Sequence, residues 1–155
     1  MKLSTKGRYA VMALADIAVH SRGEPVSLAA IAARQEISVE YLEQLFPKLR
    51  RSGLVASTRG PGGGYSLAKD SEDIRISDIV CAVDEPLQVT RCQGDAIDGC
   101  VAGQQCLTHD LWSALGRQIL GFLAAITLGD VVNRRNLALQ ATVRRATIHP
   151  VRAMV

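Results

Sequence analysis

One glycine-rich run, residues 60–64, limits the fold of this chain more than any other feature. The residues before it, 54–59, alternate in polarity like a β-strand, and residues 64–68 supply a matching strand. Neither of the glycine patterns typical of nucleotide-binding loops is matched, and no helix is expected to open after the run, so a nucleotide site is excluded. We therefore predict a two-stranded hairpin with a thin tip.

Three helical patterns precede this hairpin. The first helix carries apolar residues at three- and four-residue steps between residues 9 and 19. Ser27 and Ser38 are suitable N-cap residues for a short helix over 28–35 and for a third helix that Gly53 ends. Two short helices joined by a tight connection and followed by a hairpin are typical of a winged helix-turn-helix, so this fold is predicted. The expected apolar row of the first helix is Tyr9, Val11, Met12, Leu14, Ala15, Ala18 and Val19.

The third helix has two chemically different faces. Leu42 and Leu49 belong to the row expected to be buried, whereas charged and amide side chains point outward. Basic side chains suit phosphates and glutamine pairs with adenine, so we expect this face to bind double-stranded DNA, with Arg59 at the base of the hairpin tip entering a minor groove. Pro47 predicts a kink or a helix boundary near Phe46. The expected DNA-binding residues are Ser38, Glu40, Tyr41, Glu43, Gln44, Lys48, Arg50, Arg51, Arg59, Gly60, Gly62 and Gly63.

Two carboxylates, Glu40 and Glu43, lie on this outward face. A carboxylate accepts from the cytosine amino group and is repelled by other bases and by phosphate, so these residues either read cytosine or reject wrong sites. The alternative is that both only favour the first half of the helix through its dipole.

Charge is divided along the chain, although the net charge is only +3. Residues 1–70 carry +4, residues 71–130 carry −6 and residues 131–155 carry +5. A basic head followed by an acidic middle indicates a polyanion-binding domain joined to a segment with another task.

Length and the N-terminus exclude several classes of protein. With 155 residues, 48% of them hydrophobic, the chain suits one compact domain with an accessory element, and a large multidomain enzyme is excluded. No apolar run follows the first charged residues and no stretch of about 18 apolar residues occurs, so a cytoplasmic protein without a membrane span is expected.

Cys92, Cys100, Cys106 and His109 lie within 18 residues, in a loop rich in glycine and glutamine. Such a loop has little to bury, so a metal centre is its natural organiser. The spacing C-x7-C-x5-C-x2-H differs from that of zinc knuckles, thioredoxins and bacterial ferredoxins. These ligand types allow zinc or an iron-sulfur cluster, and the wide spacing favours the cluster. A disulfide is not expected in a reducing compartment, and no arrangement of residues indicates catalysis.

Two helices flank this loop. Before it, a short helix over 77–83 is expected to bury Ile79, Val80 and Val83, with Cys81 as a small buried hydrophobe. After it, a long helix capped by Thr108 carries an apolar stripe too broad for a small head to cover, so a second copy is expected to pack there as a two-fold homodimer on a palindromic operator. The expected interface residues are Leu111, Trp112, Leu115, Ile119, Phe122, Leu123 and Ile126.

The predicted fold class is mainly α with a small β-hairpin wing: a winged helix-turn-helix plus a long dimerisation helix. The DNA-binding domain is expected over residues 1–76, and the cluster-binding loop and dimerisation helix over 77–132. The basic tail over 133–155 has no sustained apolar face and is expected to be frayed or disordered.

From Met1 to about Val132 the sequence resembles the Rrf-type family of bacterial winged-helix repressors, in particular its iron-sulfur cluster regulators. The strings that carry the resemblance are STKGRYAV at 4–11, YLEQLF at 41–46, RGPGGGY at 59–65, AVDE at 82–85, RCQ at 91–93, CLTH at 106–109 and ITLGD at 126–130.

This resemblance implies a homodimeric, non-enzymatic transcription factor that controls, mainly by repression, the genes for iron-sulfur cluster biogenesis. It also implies one [2Fe-2S] cluster per chain, held by Cys92, Cys100, Cys106 and His109 and supplied by the cluster assembly machinery. Seven residues separate Cys92 from Cys100, more than is usual in the family, and Glu40 stands where a small polar residue is common. An iron- or nitric-oxide-responsive repressor with a [4Fe-4S] cluster and a zinc-stabilised interaction module are the alternatives.

Overall fold

The computed structural model is mainly helical with one β-hairpin, and it describes residues 5–83 and 106–135 together with 137, 138 and 142. The predicted winged helix-turn-helix is confirmed. Within these residues no helix is long and apolar enough to cross a membrane. The elements are α1 (Thr5–His20), α2 (Leu28–Gln35), α3 (Val39–Arg51), β1 (Val55–Thr58), β2 (Gly64–Leu67), a 3-10 turn (Ser71–Asp73), α4 (Ile76–Val83), α5 (His109–Ala125) and α6 (Leu128–Val132).

Short polar side chains start α2 and α3, as predicted. The Ser27 hydroxyl accepts a hydrogen bond from the Ala30 N–H, and the Ser38 hydroxyl accepts one from the Tyr41 N–H, each at 3.2 Å. Glu36 then ends α2 in the left-handed conformation, with φ of 54°. These caps, together with that sharp turn, let two short helices follow each other with almost no linker.

The hairpin is joined to the helical head through its second strand. β1 and β2 pair antiparallel, with Val55 opposite Leu67. On its other side β2 exchanges two backbone hydrogen bonds with the loop before α2, between Val26 and Tyr65, both 2.8 Å long. A Cβ on Gly64 would collide with the Val26 carbonyl. Gly64 is therefore needed where the wing meets the head.

One hydrophobic core joins the head to the later helices α4 and α6. Leu14 of α1 and Phe46 of α3 are fully buried together with Ile79 of α4 and Leu128 of α6. The predicted domain boundary after residue 76 therefore separates parts of the sequence that share a single core.

The apolar stripe predicted to run on through Ile126 is interrupted there by a helix break. α6 begins at a capping box, in which the Thr127 hydroxyl accepts from the Asp130 N–H and the Asp130 carboxylate accepts from the Thr127 N–H, at 3.1 and 3.0 Å. Backbone hydrogen bonds also tie Ile126 and Leu128 to residues 74–76. The end of α5 is thus attached to the segment between the wing and α4.

One prediction of burial is wrong, because Cys81 is exposed. Val19, the last member of the apolar row of α1, is also exposed, whereas the rest of that row is buried or packs against the core. In α4 the buried side chains Ile79, Val80 and Val83 lie on one side of the helix, which leaves position 81 on the other. The apolar side chains that α1 buries are Ala10, Ala13, Leu14 and Ile17.

The helix boundary predicted near Phe46 is also wrong. α3 continues through Pro47 to Arg51, and Pro47 itself is exposed. Proline gives up one backbone hydrogen bond inside a helix. The burial of Phe46 and Leu49 on either side of it supplies the packing that keeps the helix continuous.

The basic tail is ordered at its start, contrary to prediction. The Arg135 backbone N–H donates to the Asp130 carbonyl, and its guanidinium donates to the Glu72 and Asp130 carboxylates at 2.8 and 3.0 Å. Beyond Arg135, only residues 137, 138 and 142 of the predicted tail lie within the described part of the chain.

Candidate DNA-binding surface and metal centre

The apolar row of α3 is buried, and this turns most of the predicted DNA-binding residues of the helix to solvent. Leu42, Leu45, Phe46 and Leu49 face the core. Because that row anchors the helix along its length, the opposite side forms one continuous polar surface. Its exposed members are Ser38, Glu40, Glu43, Gln44, Arg50 and Arg51.

Aromatic contacts hold α3 between α1 and the wing. Tyr41, predicted to contact DNA, is half-buried and meets Tyr9 of α1 edge to face, with ring centroids 5.4 Å apart. Farther along, the rings of Phe46 and Tyr65 pack with centroids 4.5 Å apart. These contacts fix the position of the outward surface relative to the hairpin.

Lys48 does not lie on the outward surface predicted for it. Its side chain is half-buried, and its Nζ donates to the carbonyl oxygen of Val83 at 3.1 Å. Val83 is the last residue of α4. A contact between the ends of two helices is not visible in the periodicity of α3 alone.

The wing tip is exposed and needs its glycines. Gly60 and Gly62 have φ angles of 100° and 75°, which favour glycine. A Cβ on Gly63 would collide with the Thr58 carbonyl and lie 2.8 Å from the Gly60 carbonyl oxygen. Arg59 is exposed at the base of this tip, as its predicted role requires.

Arg50 links α3 to the hairpin. Its Nη1 donates to the Ser57 hydroxyl of β1 at 3.3 Å. Arg50 is exposed, so this contact leaves its guanidinium next to solvent, between the helix and the wing.

An ion pair between a buried carboxylate of α1 and an exposed arginine of α2 was missed by the sequence-based reasoning. The Asp16 side chain on α1 has no exposed surface and receives hydrogen bonds from Arg34 Nε and Nη2 and from Gln35 Nε2 of α2. Burial by itself raises the pKa of Asp16, but the hydrogen bonds from Arg34 and Gln35 and the charge of Arg34 together lower it below its ordinary value. The signal was an acidic residue next to the buried Ile17, since a buried carboxylate needs a partner.

A second polar cluster, Glu72 with Asp130 and Arg135, was also missed. Hydrogen bonds from Arg135 to Glu72 and then to Asp130 raise the pKa of Arg135. Glu72 lies so close to α6 that a Cβ on Gly129 would come within 2.5 Å of its carboxylate carbon. The cluster joins the turn after the wing to the end of α6.

Two of the four predicted metal ligands lie together at the start of α5. The backbone N–H of His109 donates to the backbone carbonyl of Cys106 at 3.0 Å, and the Cys106 sulfur lies 3.6 Å from the Thr108 hydroxyl. His109 is buried, at 4% exposure, and Cys106 is half-buried. The positive end of a helix dipole stabilises a nearby thiolate, and thiolate and imidazole are ligands for zinc and for iron-sulfur clusters.

The other two predicted ligands, Cys92 and Cys100, lie outside the described residues. Within the described ranges, no three cysteine, histidine, aspartate or glutamate side chains are arranged to hold a metal ion.

α5 presents apolar side chains to solvent, as the dimer prediction requires. Leu111 is 61% exposed, and Trp112 and Phe122 are also exposed. Ile126 is 2% exposed and lies in the core of its own chain, so its assignment to the interface is wrong. Leu107, which precedes α5, is fully exposed and was not predicted. The other predicted residues, Leu115, Ile119 and Leu123, are half-buried.

Comparison with known families and sequences points to transcriptional regulation. A family profile described as "Rrf2: Iron-dependent Transcriptional regulator" matches residues 3–134. The HTH-type transcriptional regulator IscR of Serratia proteamaculans is 53% identical over 141 residues, which are 91% of this chain and 85% of that protein. The IscR of Escherichia coli is 53% identical over 137 residues, 88% of this chain and 83% of its own length.

Solved structures show the same fold. T. potens IscR superposes with a TM-score of 0.71 and 38% identity, covering 89% of this chain and 90% of that one. CymR of B. subtilis, named as a global cysteine regulator, superposes with a TM-score of 0.74 and 30% identity, covering 88% of this chain and 99% of that one.

Proposed function

This chain belongs to the Rrf2 family of transcriptional regulators, and we propose that it regulates, mainly by repression, the genes that build iron-sulfur clusters. Relatives at 53% identity are named as HTH-type transcriptional regulators, so its activity is DNA binding and not catalysis. The proposal adds that a [2Fe-2S] cluster, one per chain, modulates this binding. The observation that carries it is the position of Cys106 and His109 at the start of α5, which connects the cysteine segment to the head.

We place α3 in the major groove of the operator. The Gln44 amide is exposed and chemically able to pair with adenine, and Arg50 and Arg51 suit phosphates. Glu40 and Glu43 stand exposed beside Gln44, where each accepts from a cytosine amino group and is repelled by other bases. The exposure of these side chains on one surface supports this assignment.

The wing supplies a minor-groove contact through Arg59. The narrow minor groove has a strong negative potential that attracts an inserted arginine. We expect Arg59→Ala to weaken operator binding and to reduce the slope of log K against log salt by about one unit, because one phosphate-proximal cation is lost. Fluorescence anisotropy at several salt concentrations measures both quantities.

Lys69→Ala is the matched control, since Lys69 is exposed just beyond β2 and outside the proposed surface. It is expected to leave the slope unchanged. An Arg59→Ala slope equal to that of the wild type would remove Arg59 from the DNA interface.

A second copy of the chain is proposed to cover the apolar side of α5. Leu111, Trp112 and Phe122 are exposed, and large exposed apolar side chains on one helix are typical of an interaction surface. A two-fold dimer places two α3 helices on the two halves of a palindromic site.

We propose that Cys92, Cys100, Cys106 and His109 hold the cluster, which the assembly machinery supplies. The fit is chemical: the structure brings a half-buried thiol and a buried imidazole to the first turn of α5, and the segment before it carries two more thiols. A bound [2Fe-2S] cluster supplies a labile redox centre whose presence reports adequate supply. Its occupancy is proposed to shift the head toward one DNA-binding geometry.

One observation keeps a second regulator function open. Seven residues separate Cys92 from Cys100, and this longer loop suits a larger centre, so the alternative is an iron- or nitric-oxide-responsive repressor with a [4Fe-4S] cluster.

The function is tested by operator binding of cluster-loaded and cluster-free protein under anaerobic conditions. We expect the two forms to differ in affinity for at least one operator, and we expect Cys92→Ala to match the cluster-free form whether or not cluster is supplied. Equal affinities of Cys92→Ala and loaded wild-type protein at every operator would contradict cluster sensing.

A further inference from the structure

We propose that Ser57 of the wing is a positioning residue that orients Arg50 of α3 toward the DNA backbone strand between the two grooves. The inference rests on the proposed placement of α3 and the wing on DNA. The contact that carries it is the hydrogen bond from Arg50 Nη1 to the Ser57 hydroxyl, 3.3 Å long. Both side chains are exposed. Ser57 is not among the DNA-binding residues expected from the sequence.

Ser57 lies on the face of the hairpin that is turned toward α3. Residues opposite each other on paired antiparallel strands share a face, and Ser57 of β1 lies opposite Tyr65 of β2. The Tyr65 ring packs on Phe46 of α3. One apolar and one polar contact on the same face therefore join the hairpin to this helix.

Backbone contacts fix the hairpin in this position. Tyr65 exchanges two backbone hydrogen bonds with the buried Val26, and the backbone at Gly64 lies too close to the Val26 carbonyl to admit a Cβ. The strand pair is thus held to the head independently of Ser57. Its hydroxyl is a fixed point from which the mobile Arg50 side chain can be oriented, and such orientation before binding raises affinity.

A serine partner leaves the charge of Arg50 available to an anion. Arg34 and Arg135 each form an ion pair with a carboxylate. In the described part of the chain, no carboxylate lies within ion-pair distance of Arg50. A guanidinium has five N–H donors, so one hydrogen bond to a neutral hydroxyl leaves donors as well as charge for a phosphate.

Arg50 lies where a DNA backbone strand has to pass. With α3 in the major groove and the wing tip in a minor groove, the strand that separates the grooves runs between the helix and the hairpin. The Arg50 side chain spans this place, since it reaches from α3 to β1. Arginine binds phosphate through parallel hydrogen bonds whose strength depends on orientation, so the Ser57 contact favours this phosphate contact.

A double-mutant cycle on the full-length protein tests whether Ser57 acts through Arg50. The probe is a DNA duplex selected from a random-sequence pool by the wild-type protein, and anisotropy at several salt concentrations gives the dissociation constant and the salt slope. We expect Arg50→Met to weaken binding by about ten-fold and to lower the slope by about one unit. Ser57→Ala is expected to weaken binding by about three-fold, as loss of one hydrogen bond does. In the Arg50→Met background, Ser57→Ala is expected to have no further effect.

Two control variants separate positioning from a structural role. Ser57→Thr retains the hydroxyl and is expected to keep the wild-type affinity. Ser66→Ala removes a hydroxyl from the other face of the same hairpin, since Ser66 is the neighbour of Tyr65 on β2, and it is expected to change neither quantity. The thermal midpoint of Ser57→Ala is expected to stay at the wild-type value, because Ser57 is exposed.

Three results would overturn the inference. If Ser57→Ala weakens binding equally in the wild-type and Arg50→Met backgrounds, Ser57 does not act through Arg50. If Ser57→Ala binds like the wild type while Arg59→Ala binds more weakly, the positioning role is wrong and the proposed function stands. If Arg50→Met, Gln44→Ala and Arg59→Ala all keep the wild-type affinity and slope, the placement of α3 and the wing on DNA fails, and the inference fails with it.

Discussion

Asp16→Ala is expected to lower the free energy of unfolding by about 2 kcal/mol, because it removes a buried carboxylate that accepts charge-assisted hydrogen bonds from the exposed Arg34 and a hydrogen bond from Gln35. The Asp16 side chain has no exposed surface, and its two oxygens accept from Arg34 and Gln35 at 2.5 to 3.2 Å. This network joins α1 to α2, the first helix of the helix-turn-helix. Urea unfolding followed by circular dichroism measures the loss.

Asp73→Ala is the matched control, since Asp73 is exposed on the turn after the wing. It is expected to change the free energy of unfolding by less than about 0.5 kcal/mol, as surface substitutions do. Arg34→Met is expected to destabilise more than Asp16→Asn, because it leaves a buried carboxylate without its charged partner. Equal stabilities of Asp16→Ala and the wild type would show that the ion pair does not stabilise the fold.

The ion pair between Asp16 and Arg34 also predicts that the free energy of unfolding depends on pH. The pKa of Asp16 is lower in the folded state than in the unfolded chain. The contribution of its carboxylate to the free energy of unfolding is therefore complete above the unfolded-state pKa, and it is lost as the pH falls through the folded-state pKa. The stability difference between wild type and Asp16→Ala is therefore expected to shrink in acid and to be constant near neutral pH. A difference that grows as the pH falls would contradict the direction of the shift.

Phe122→Asp is expected to convert a dimer to a monomer and to weaken binding to a full palindrome by about 100-fold. Phe122 is exposed on α5, away from the proposed ligands at the start of that helix. A carboxylate there must be desolvated in the dimer, and a monomer loses the avidity of two linked recognition helices. Sedimentation velocity and binding to full and half operators measure the two effects.

Phe122→Leu keeps an apolar side chain and is the control, with dimerisation and operator affinity expected to stay near wild type. The Phe122→Asp affinity for a half operator is expected to be unchanged, since Phe122 is not part of the surface of α3 and the wing that is proposed to contact DNA. A Phe122→Asp protein that sediments as a dimer would place the interface elsewhere.

The head could be predicted because its signals are local. The caps Ser27 and Ser38 and the glycines of the wing tip act within a few residues of their own positions, and each is found in the predicted role. The resemblance carried by strings such as STKGRYAV and RGPGGGY agrees with the family to which the chain belongs. Local signals therefore sufficed for the fold class and for the exposed side of α3 apart from Lys48.

The polar contacts that connect the elements could not be predicted in the same way. Asp16 and Arg34 are 18 residues apart in sequence, Lys48 and Val83 are 35 apart, and Glu72 and Arg135 are 63 apart. No periodicity links such partners, because they meet only after the helices have packed. The pattern of α3 alone therefore placed Lys48 among the residues that contact DNA. In the same way, the composition of residues 133–155 alone placed Arg135 in a frayed tail.

The break between α5 and α6 is a different case, since its signal was present. Thr127 and Asp130 have the spacing of a capping box, with Asp130 in the third helical position. This capping signal was overlooked because Ile126 fits the helical spacing of the apolar stripe of α5. In the structure Ile126 instead belongs to the core. When a capping pattern lies inside an apolar stripe, the capping pattern is therefore the better guide: it indicates that one helix ends there, even though the apolar spacing continues.

The central claim, that a cluster held by this chain controls its DNA binding, is tested most directly by determining iron, sulfide and zinc in anaerobically purified protein. We expect about two iron and two sulfide per chain, with the visible absorption of a [2Fe-2S] centre, and we expect both to be lost in Cys92→Ala. About four iron per chain would contradict the cluster type and favour the [4Fe-4S] regulator. Stoichiometric zinc without sulfide would contradict cluster sensing and leave only the DNA-binding head.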